Sequence, residues 1–189
     1  PSSNGLMILI DSETGIIKSI LLDKGYLTDI RTAIAGAIAS KYLSNLDIET
    51  VGIMGAGTQA QLQLQALMLV RNPKKIKIWS RDPLKVKKFI EGTKNIFNIE
   101  LCLTPEDLVL NSDLVITTTP SNKPIIKNEW LKKGMHITAM GSDSDHKIEL
   151  DPKILKECDV YVPDNQAQTS ILGELHHALK DNLINPDTK

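Results

Sequence analysis

Cysteine is scarce in this chain. Only Cys102 and Cys158 occur, without the spacing of metal ligands. They read as reduced thiols, which excludes a disulfide framework. Charge of one sign is lacking too: the net charge is -1, so there is no electrostatic basis for binding nucleic acid or an anionic membrane. No apolar run is long enough to cross a bilayer, and the first residues do not read as a signal peptide, so a cytoplasmic protein is expected. His146, His176 and His177 have no clustered Cys or carboxylate partners. The adjacent pair His176-His177 also points in two directions of one helix, so no metal site is expected. His136 reads as structural.

What remains is ordinary for a soluble globular protein, with 41% hydrophobic and 24% charged residues. The 189 residues allow one domain of usual size plus an appendage. The chain opens on Pro1-Ser2-Ser3-Asn4-Gly5 without an initiator Met, so it is expected to be a fragment of a longer protein. There are no repeats and no low-complexity segments.

Two apolar runs, Leu6 to Ile10 and Ile16 to Leu22, flank the turn-rich Asp11-Ser12-Glu13-Thr14-Gly15 and predict a β-hairpin. A helix is predicted from Tyr26 to Leu43. Beyond a polar break at Ser44 to Glu49, strands and helices alternate. Strands are expected at Val51–Met54, Ile76–Trp79, Ile99–Leu103, Leu114–Thr118, His136–Met140 and Val160–Val162. Helices are expected at Thr58–Val70, Pro83–Glu91, Pro105–Leu110 and Pro152–Cys158, with a last one over Gln166 to Leu179. Asp82-Pro83, Thr104-Pro105 and Asp151-Pro152 each set a capping side chain before a proline at a helix start. The pattern predicts an α/β fold, a doubly wound parallel sheet of about six strands, with a remnant of a second domain at the N-terminus. The expected division is 1–48, part of a substrate and dimerisation domain; 49–165, the dinucleotide-binding domain; and 166–189, a C-terminal helix returning to the first.

The sharpest motif is Gly55-Ala56-Gly57-Thr58-Gln59-Ala60, a G-x-G-x-x-A between an apolar strand and a long helix. In that setting Gly55 permits the tight turn, Gly57 lets backbone N–H groups approach a pyrophosphate, and Ala60 allows close helix packing. The helix N-terminus then holds the phosphate charge. The alternative is a βα turn that binds nothing. At the end of the next strand, an enzyme using NAD usually offers an acidic residue to the ribose 2′-hydroxyl. Here that position is Ser80, followed by Arg81, whose planar fork suits a 2′-phosphate, so NADP(H) is favoured over NAD.

Two further loops fall at the carboxyl ends of strands. Thr117-Thr118-Thr119-Pro120-Ser121 offers hydroxyls to a cofactor, or is simply a β-branched strand end and a turn. Gly141-Ser142-Asp143-Ser144-Asp145-His146-Lys147 combines a close-approach glycine with ionisable groups. A carboxylate there could exchange protons if burial raised its pKa; otherwise it is a polar loop with an Asp–Lys pair. Arg31 falls within the apolar stripe of Leu27, Ile30, Ile34, Ile38 and Tyr42, so it should face inward and need an anion. That anion is either a substrate carboxylate or a domain Asp or Glu.

Several stretches together resemble the ornithine cyclodeaminase/mu-crystallin family. They are Gly25-Tyr26-Leu27-Thr28-Asp29-Ile30-Arg31-Thr32-Ala33, the glycine loop, Trp79-Ser80-Arg81-Asp82-Pro83, Thr117-Thr118-Thr119-Pro120, Glu129-Trp130-Leu131-Lys132-Lys133-Gly134, His136 to Asp143, and Lys147-Ile148-Glu149-Leu150. Met140 to Lys147, with Gly173-Glu174-Leu175-His176-His177, looks most like the ectoine-utilisation cyclodeaminase branch. The resemblance implies that Arg31 anchors a substrate carboxylate and that Thr58 and Gln59 contact the pyrophosphate. Ser80 and Arg81 would contact the adenosine ribose, and Thr117 the nicotinamide half. Met140, Gly141 and Ser142 would line the nicotinamide with Lys147 close by, and Asp143 would be the catalytic acid/base.

It also implies a homodimer and a lyase in which hydride leaves the Cα of a small diamino acid. The side-chain amine then attacks the imine, ammonia departs, and the same hydride returns. Two alternatives share the scaffold: an NAD(P)-dependent amino-acid dehydrogenase or ketimine reductase, and a non-enzymatic NADPH-dependent binder of the mu-crystallin kind. The resemblance also implies further segments at both ends, which are expected to lie outside this stretch of sequence.

Overall fold

The computed structural model describes residues 5–185. Its centre is a five-stranded parallel sheet. Strand β3 (Thr50–Met54) pairs with β4 (Lys75–Trp79) on one side and β6 (Leu114–Thr117) on the other. β5 (Ile99–Leu101) and β8 (His136–Ala139) form the edges, giving the order β5-β4-β3-β6-β8. Val51, Ile53 and Met54 have no solvent exposure, as a central strand covered on both faces requires. The chain leaves β3 toward one edge and later returns to its other side. That reversal opens a crevice at the carboxyl ends of β3 and β6.

Helices α2 (Thr58–Leu67), α3 (Pro83–Thr93) and α4 (Pro105–Leu110) connect the strands. Their starts are set by local chemistry. Asp82 accepts from Leu84 N–H at 3.0 Å and Thr104 from Asp107 N–H at 3.0 Å, each ahead of a proline. One apolar cluster joins Val51, Ile53, Leu64, Ile78, Val86 and Ile116. A second joins Met54, Leu108, Val115, Trp130, Leu150 and Leu175.

The sheet holds five strands, not six. Val160–Val162 stays a loop: Val160 is 70% and Val162 56% exposed, so these side chains find no covered face and their backbone joins no ladder. Two unpredicted strands, β7 (Asn122–Ile126) and β9 (Ile148–Leu150), instead form a separate parallel pair. After α5 (Lys153–Glu157), the expected last helix is two pieces, α6 (Gln166–Thr169) and α7 (Glu174–Lys180). They are broken at Gly173, whose φ is 89°. The hairpin forms as expected, from β1 (Met7–Ile10) and β2 (Ile17–Leu21). Asp11 stabilises its turn by accepting from Glu13 N–H, Thr14 N–H and the Thr14 hydroxyl, while Lys18 pairs with it at 2.9 Å. Those donors hold the Asp11 carboxyl down at about 2.

The long helix α1 (Tyr26–Leu43) seats a different face from the one its periodicity suggested. Ala33, Gly36, Ala37 and Ser40 are buried, whereas Ile34, Ile38 and Tyr42 are exposed. Small residues let α1 approach α2 so closely that Gln63 fills the place a Cβ on Gly36 would take. Arg31 shares the outward side and is exposed, contrary to the inward orientation expected from the stripe. No helix among the described residues is long and apolar enough to cross a membrane.

Candidate functional site

The turn between β3 and α2 has the geometry that the glycine motif demands. Gly55 sits at φ +118°, and a Cβ there would lie 3.0 Å from the Thr118 carbonyl oxygen and nearer still to its hydroxyl. Only glycine tolerates both conditions. Gly57 precedes α2 with an extended backbone and open space where a side chain would be. No side chain caps this ten-residue helix, and its first turn contains no acidic residue. The leading N–H groups therefore remain available to an anion at the positive end of the helix.

A cleft of about 220 Å³ lies against this turn, lined by Gly55, Ala56, Gly57, Trp79, Ser80, Arg81, Lys85, Thr118, Thr119, Pro120, Ser121 and Ile125. It is smaller than the roughly 300–1,000 Å³ of sites that enclose a whole small ligand. It suits the phosphate and ribose portion of an extended molecule. The ends of β3, β4 and β6 thus meet as the sequence suggested, with Ser80 and Arg81 on the β4 wall. Lys85 is an addition that the sequence reading missed. It stands in the first turn of α3 and lines the cleft together with Arg81.

Three expected contacts are arranged differently. Thr117 is fully buried and donates its hydroxyl to Glu149 Oε2 at 2.6 Å, so its neighbours Thr118 and Thr119 line the cleft in its place. The Gln59 side-chain amide donates to the Asp29 carbonyl at 3.2 Å and to its carboxylate at 3.0 Å. This turns it toward α1 and away from the phosphate position. Asp143 is not in a burying environment. Its side chain is 72% exposed and ion-paired with Lys147 at 2.5 Å. Met140 packs against the first apolar cluster, and the Ser142 hydroxyl donates to the Lys147 carbonyl at 2.6 Å.

The buried carboxylates of this region are Glu149 and Glu174. Glu149 lies on β9 with no solvent exposure and accepts four hydrogen bonds. Thr117 Oγ1 and Gly141 N–H reach Oε2 at 2.6 and 2.8 Å; Thr119 N–H and Oγ1 reach Oε1 at 2.6 and 2.7 Å. Burial pushes its carboxyl above the ordinary value while these donors pull it down. Glu174, the first residue of α7, accepts from the N–H groups of Glu149 and Leu150 at 2.8 and 3.2 Å. Burial pushes it up to about 7. One sequence signal could have revealed Glu149: an acid flanked by Ile148 and Leu150 inside a short apolar strand must have buried donors.

Comparison with known proteins agrees with this architecture. An uncharacterized cyclodeaminase of Sinorhizobium fredii is 50% identical over 99% of this chain and 57% of its own length. An archaeal alanine dehydrogenase, solved as a dimer with bound NAD, superposes with a TM-score of 0.88 at 36% identity, covering 95% of this chain and 55% of its own. The Δ1-pyrroline-2-carboxylate reductase of Thermococcus litoralis, solved with NADH and L-proline, gives a TM-score of 0.88 at 29% identity over 96% of this chain and 56% of its own. The chain therefore spans little more than half the length of the relatives it matches. A family model covers residues 1–186, and with the glycine turn, the cation-lined cleft and the reversal of strand order it identifies the chain as a member of the ornithine cyclodeaminase/mu-crystallin family.

Proposed function

We propose that this chain is the dinucleotide-binding part of an ornithine cyclodeaminase-like lyase that acts on a small diamino acid and releases ammonia. The observation that carries the reading is the cleft at the carboxyl ends of β3, β4 and β6. Its floor is an uncapped helix start behind a glycine turn, the β4 side bears Arg81 and Lys85, and the β6 side bears Thr118 and Thr119. The glycine cradle and its free N–H donors fit a pyrophosphate. When bound, the nicotinamide supplies a hydride acceptor that can also return the hydride, allowing transient oxidation of the amino acid Cα without net redox change.

This chain's own residues do the holding. Backbone N–H groups after Gly57 bind the pyrophosphate, with Thr58 beside them. Ser80, Arg81 and Lys85 take the adenosine ribose, and two cations with Ser80 at the usual acidic position, while Asp82 is engaged as the α3 cap, favour a 2′-phosphate, hence NADP(H). Met140, Gly141 and Ser142 flank the nicotinamide side. Arg31 takes the substrate carboxylate. The family resemblance gives the proton exchange to Asp143, which Lys147 holds and which would need cover from bound ligand to act as an acid. On this reading residues 1–48 and 166–189 belong to a substrate and dimerisation domain around 49–165, in a cytoplasmic homodimer. The dimeric state of the archaeal alanine dehydrogenase supports that arrangement, as does the exposed apolar surface of β1 and β2.

A second reading, an amino-acid dehydrogenase or ketimine reductase, is favoured by the likeness to alanine dehydrogenase and pyrroline-carboxylate reductase. One experiment separates the two. The purified protein is incubated with diamino acids and NAD or NADP while ammonia and the reduced-cofactor absorbance are followed together. Ammonia without accumulated reduced cofactor supports the lyase, and Asp143→Asn should abolish it. Reduced cofactor rising in step with ammonia overturns the lyase in favour of the dehydrogenase.

A further inference from the structure

Glu149 belongs to none of the contacts so far assigned to a ligand, yet the loops at the ends of β6 and β8 both terminate on it. Its two oxygens collect donors from Thr117 and Thr119 on one side and from Gly141 on the other. A Cβ on Gly141 would stand 2.6 Å from the Glu149 carboxyl carbon, so the glycine is what lets the carboxylate enter. Glu174 anchors the strand behind it through the N–H groups of Glu149 and Leu150. His177 Nε2 lies 2.8 Å from the Lys147 carbonyl oxygen, tying the far end of the Gly141 loop to the same helix.

The position of this hub in the sheet gives it a specific consequence. A dinucleotide whose adenosine ribose lies at Ser80 and Arg81, over β4, must cross β3 at the glycine turn and extend over β6 and β8. Its reacting half then rests on the Thr117–Thr119 and Gly141 segments, the two that Glu149 joins.

We propose that Glu149 is the positioning residue of the nicotinamide half-site. It fixes the separation of the β6 and β8 loops without touching the ligand. The inference rests on the cofactor reading above. Glu149→Gln keeps the shape but replaces one acceptor oxygen with an NH₂, which then faces a Gly141 or Thr119 donor. The two loops must separate, whereas the turn at Gly55–Gly57 and the β4 wall keep their own bonds.

The test compares ligands that contain the nicotinamide with ligands that do not. NADH is paired with ADP-ribose, and NADPH with 2′-phospho-ADP-ribose. Binding is followed by quenching of Trp79, which lines the cleft. The wild-type protein binds both members of at least one pair. Glu149→Gln weakens the nicotinamide-bearing member tenfold or more and the truncated one, whose cleft shares only Thr119 with the hub, at least fivefold less. Thr117→Val removes one buried donor at nearly constant shape and gives a smaller loss of the same kind, about threefold, which Thr117→Ser restores. This pair of variants decides the matter should Glu149→Gln fail to fold. Equal weakening of both members, or no change in either, overturns the positioning role while leaving the cofactor reading in place. A wild-type protein that binds no member of either pair removes the cofactor reading and this inference together.

Discussion

Replacing Gly141 with alanine tests the close approach on which the β6–β8 end of the molecule depends. The added Cβ would lie 2.6 Å from both Cδ and Oε1 of Glu149, about 0.8 Å inside an ordinary 3.4 Å contact, and nearer still to the Thr119 carbonyl oxygen. Neither neighbour can swing aside. Thr119 O is backbone, and the Glu149 carboxylate is held by four donors. Forcing an extra methyl into packed surroundings costs about 1–3 kcal/mol. Displacing Gly141 N–H from a buried carboxylate adds about 1–3 kcal/mol.

A total near 3 kcal/mol should lower Tm by about 6–12 °C for a chain of this size. Thermal unfolding followed by circular dichroism measures it, with the urea midpoint as a second readout. Gly92→Ala is the control. Gly92 lies inside α3 with open space around its missing Cβ, so alanine there should stabilise by about 0.5–1 kcal/mol. A Gly141→Ala protein that melts within 2 °C of wild type would refute the reasoning.

Three further outcomes follow from the same geometry. Arg81→Ala and Lys85→Ala should each weaken NADPH by about tenfold, from roughly 1.5 kcal/mol per charged contact, and change NADH far less; calorimetric titration of both cofactors decides it. The Glu174 carboxyl, raised by burial from 4.5 to about 7, binds its proton more tightly folded than unfolded. Its contribution to stability is therefore full below about pH 4.5, falls as pH rises to 7 and is flat above, a span of about 3 kcal/mol. Urea unfolding across that range should show a decline in wild type that is shallower in Glu174→Gln, the remainder coming from the Glu149 carboxyl, which burial also raises. Asp82→Ala should cost about 1 kcal/mol by removing the α3 cap, read as a fall in Tm of about 2–4 °C.

Local order was legible because local chemistry produces it. The caps at Asp82 and Thr104 and the turn at Asp11 arise from neighbours within a few residues. The central strands were legible because short apolar stretches such as Val51–Met54 and Leu114–Ile116, bounded by turn residues, suit a sheet covered on both faces. The roles of Arg31, Gln59, Thr117 and Asp143 were harder to read. Each depends on which face a partner element covers, and periodicity does not carry that information. In α1 the small-residue face prevailed over the larger apolar one, because Gly36 and Ala37 allow the backbone approach that α2 requires and a row of isoleucines would hold it off.

The sequence by itself therefore determined the alternation of strand and helix, the glycine turn with its anion-binding helix start, and the basic character of the β4 end. Only the tertiary structure decided that five strands and not six pair in one sheet, and that β7 and β9 form a ladder of their own. It alone joined Thr117, Thr119, Gly141 and Glu149 into one hydrogen-bonded hub. The physical reason is range. Caps and turns are satisfied within one turn of chain, whereas a buried carboxylate must find donors wherever the fold brings them, here from segments 8 and 30 to 32 residues away.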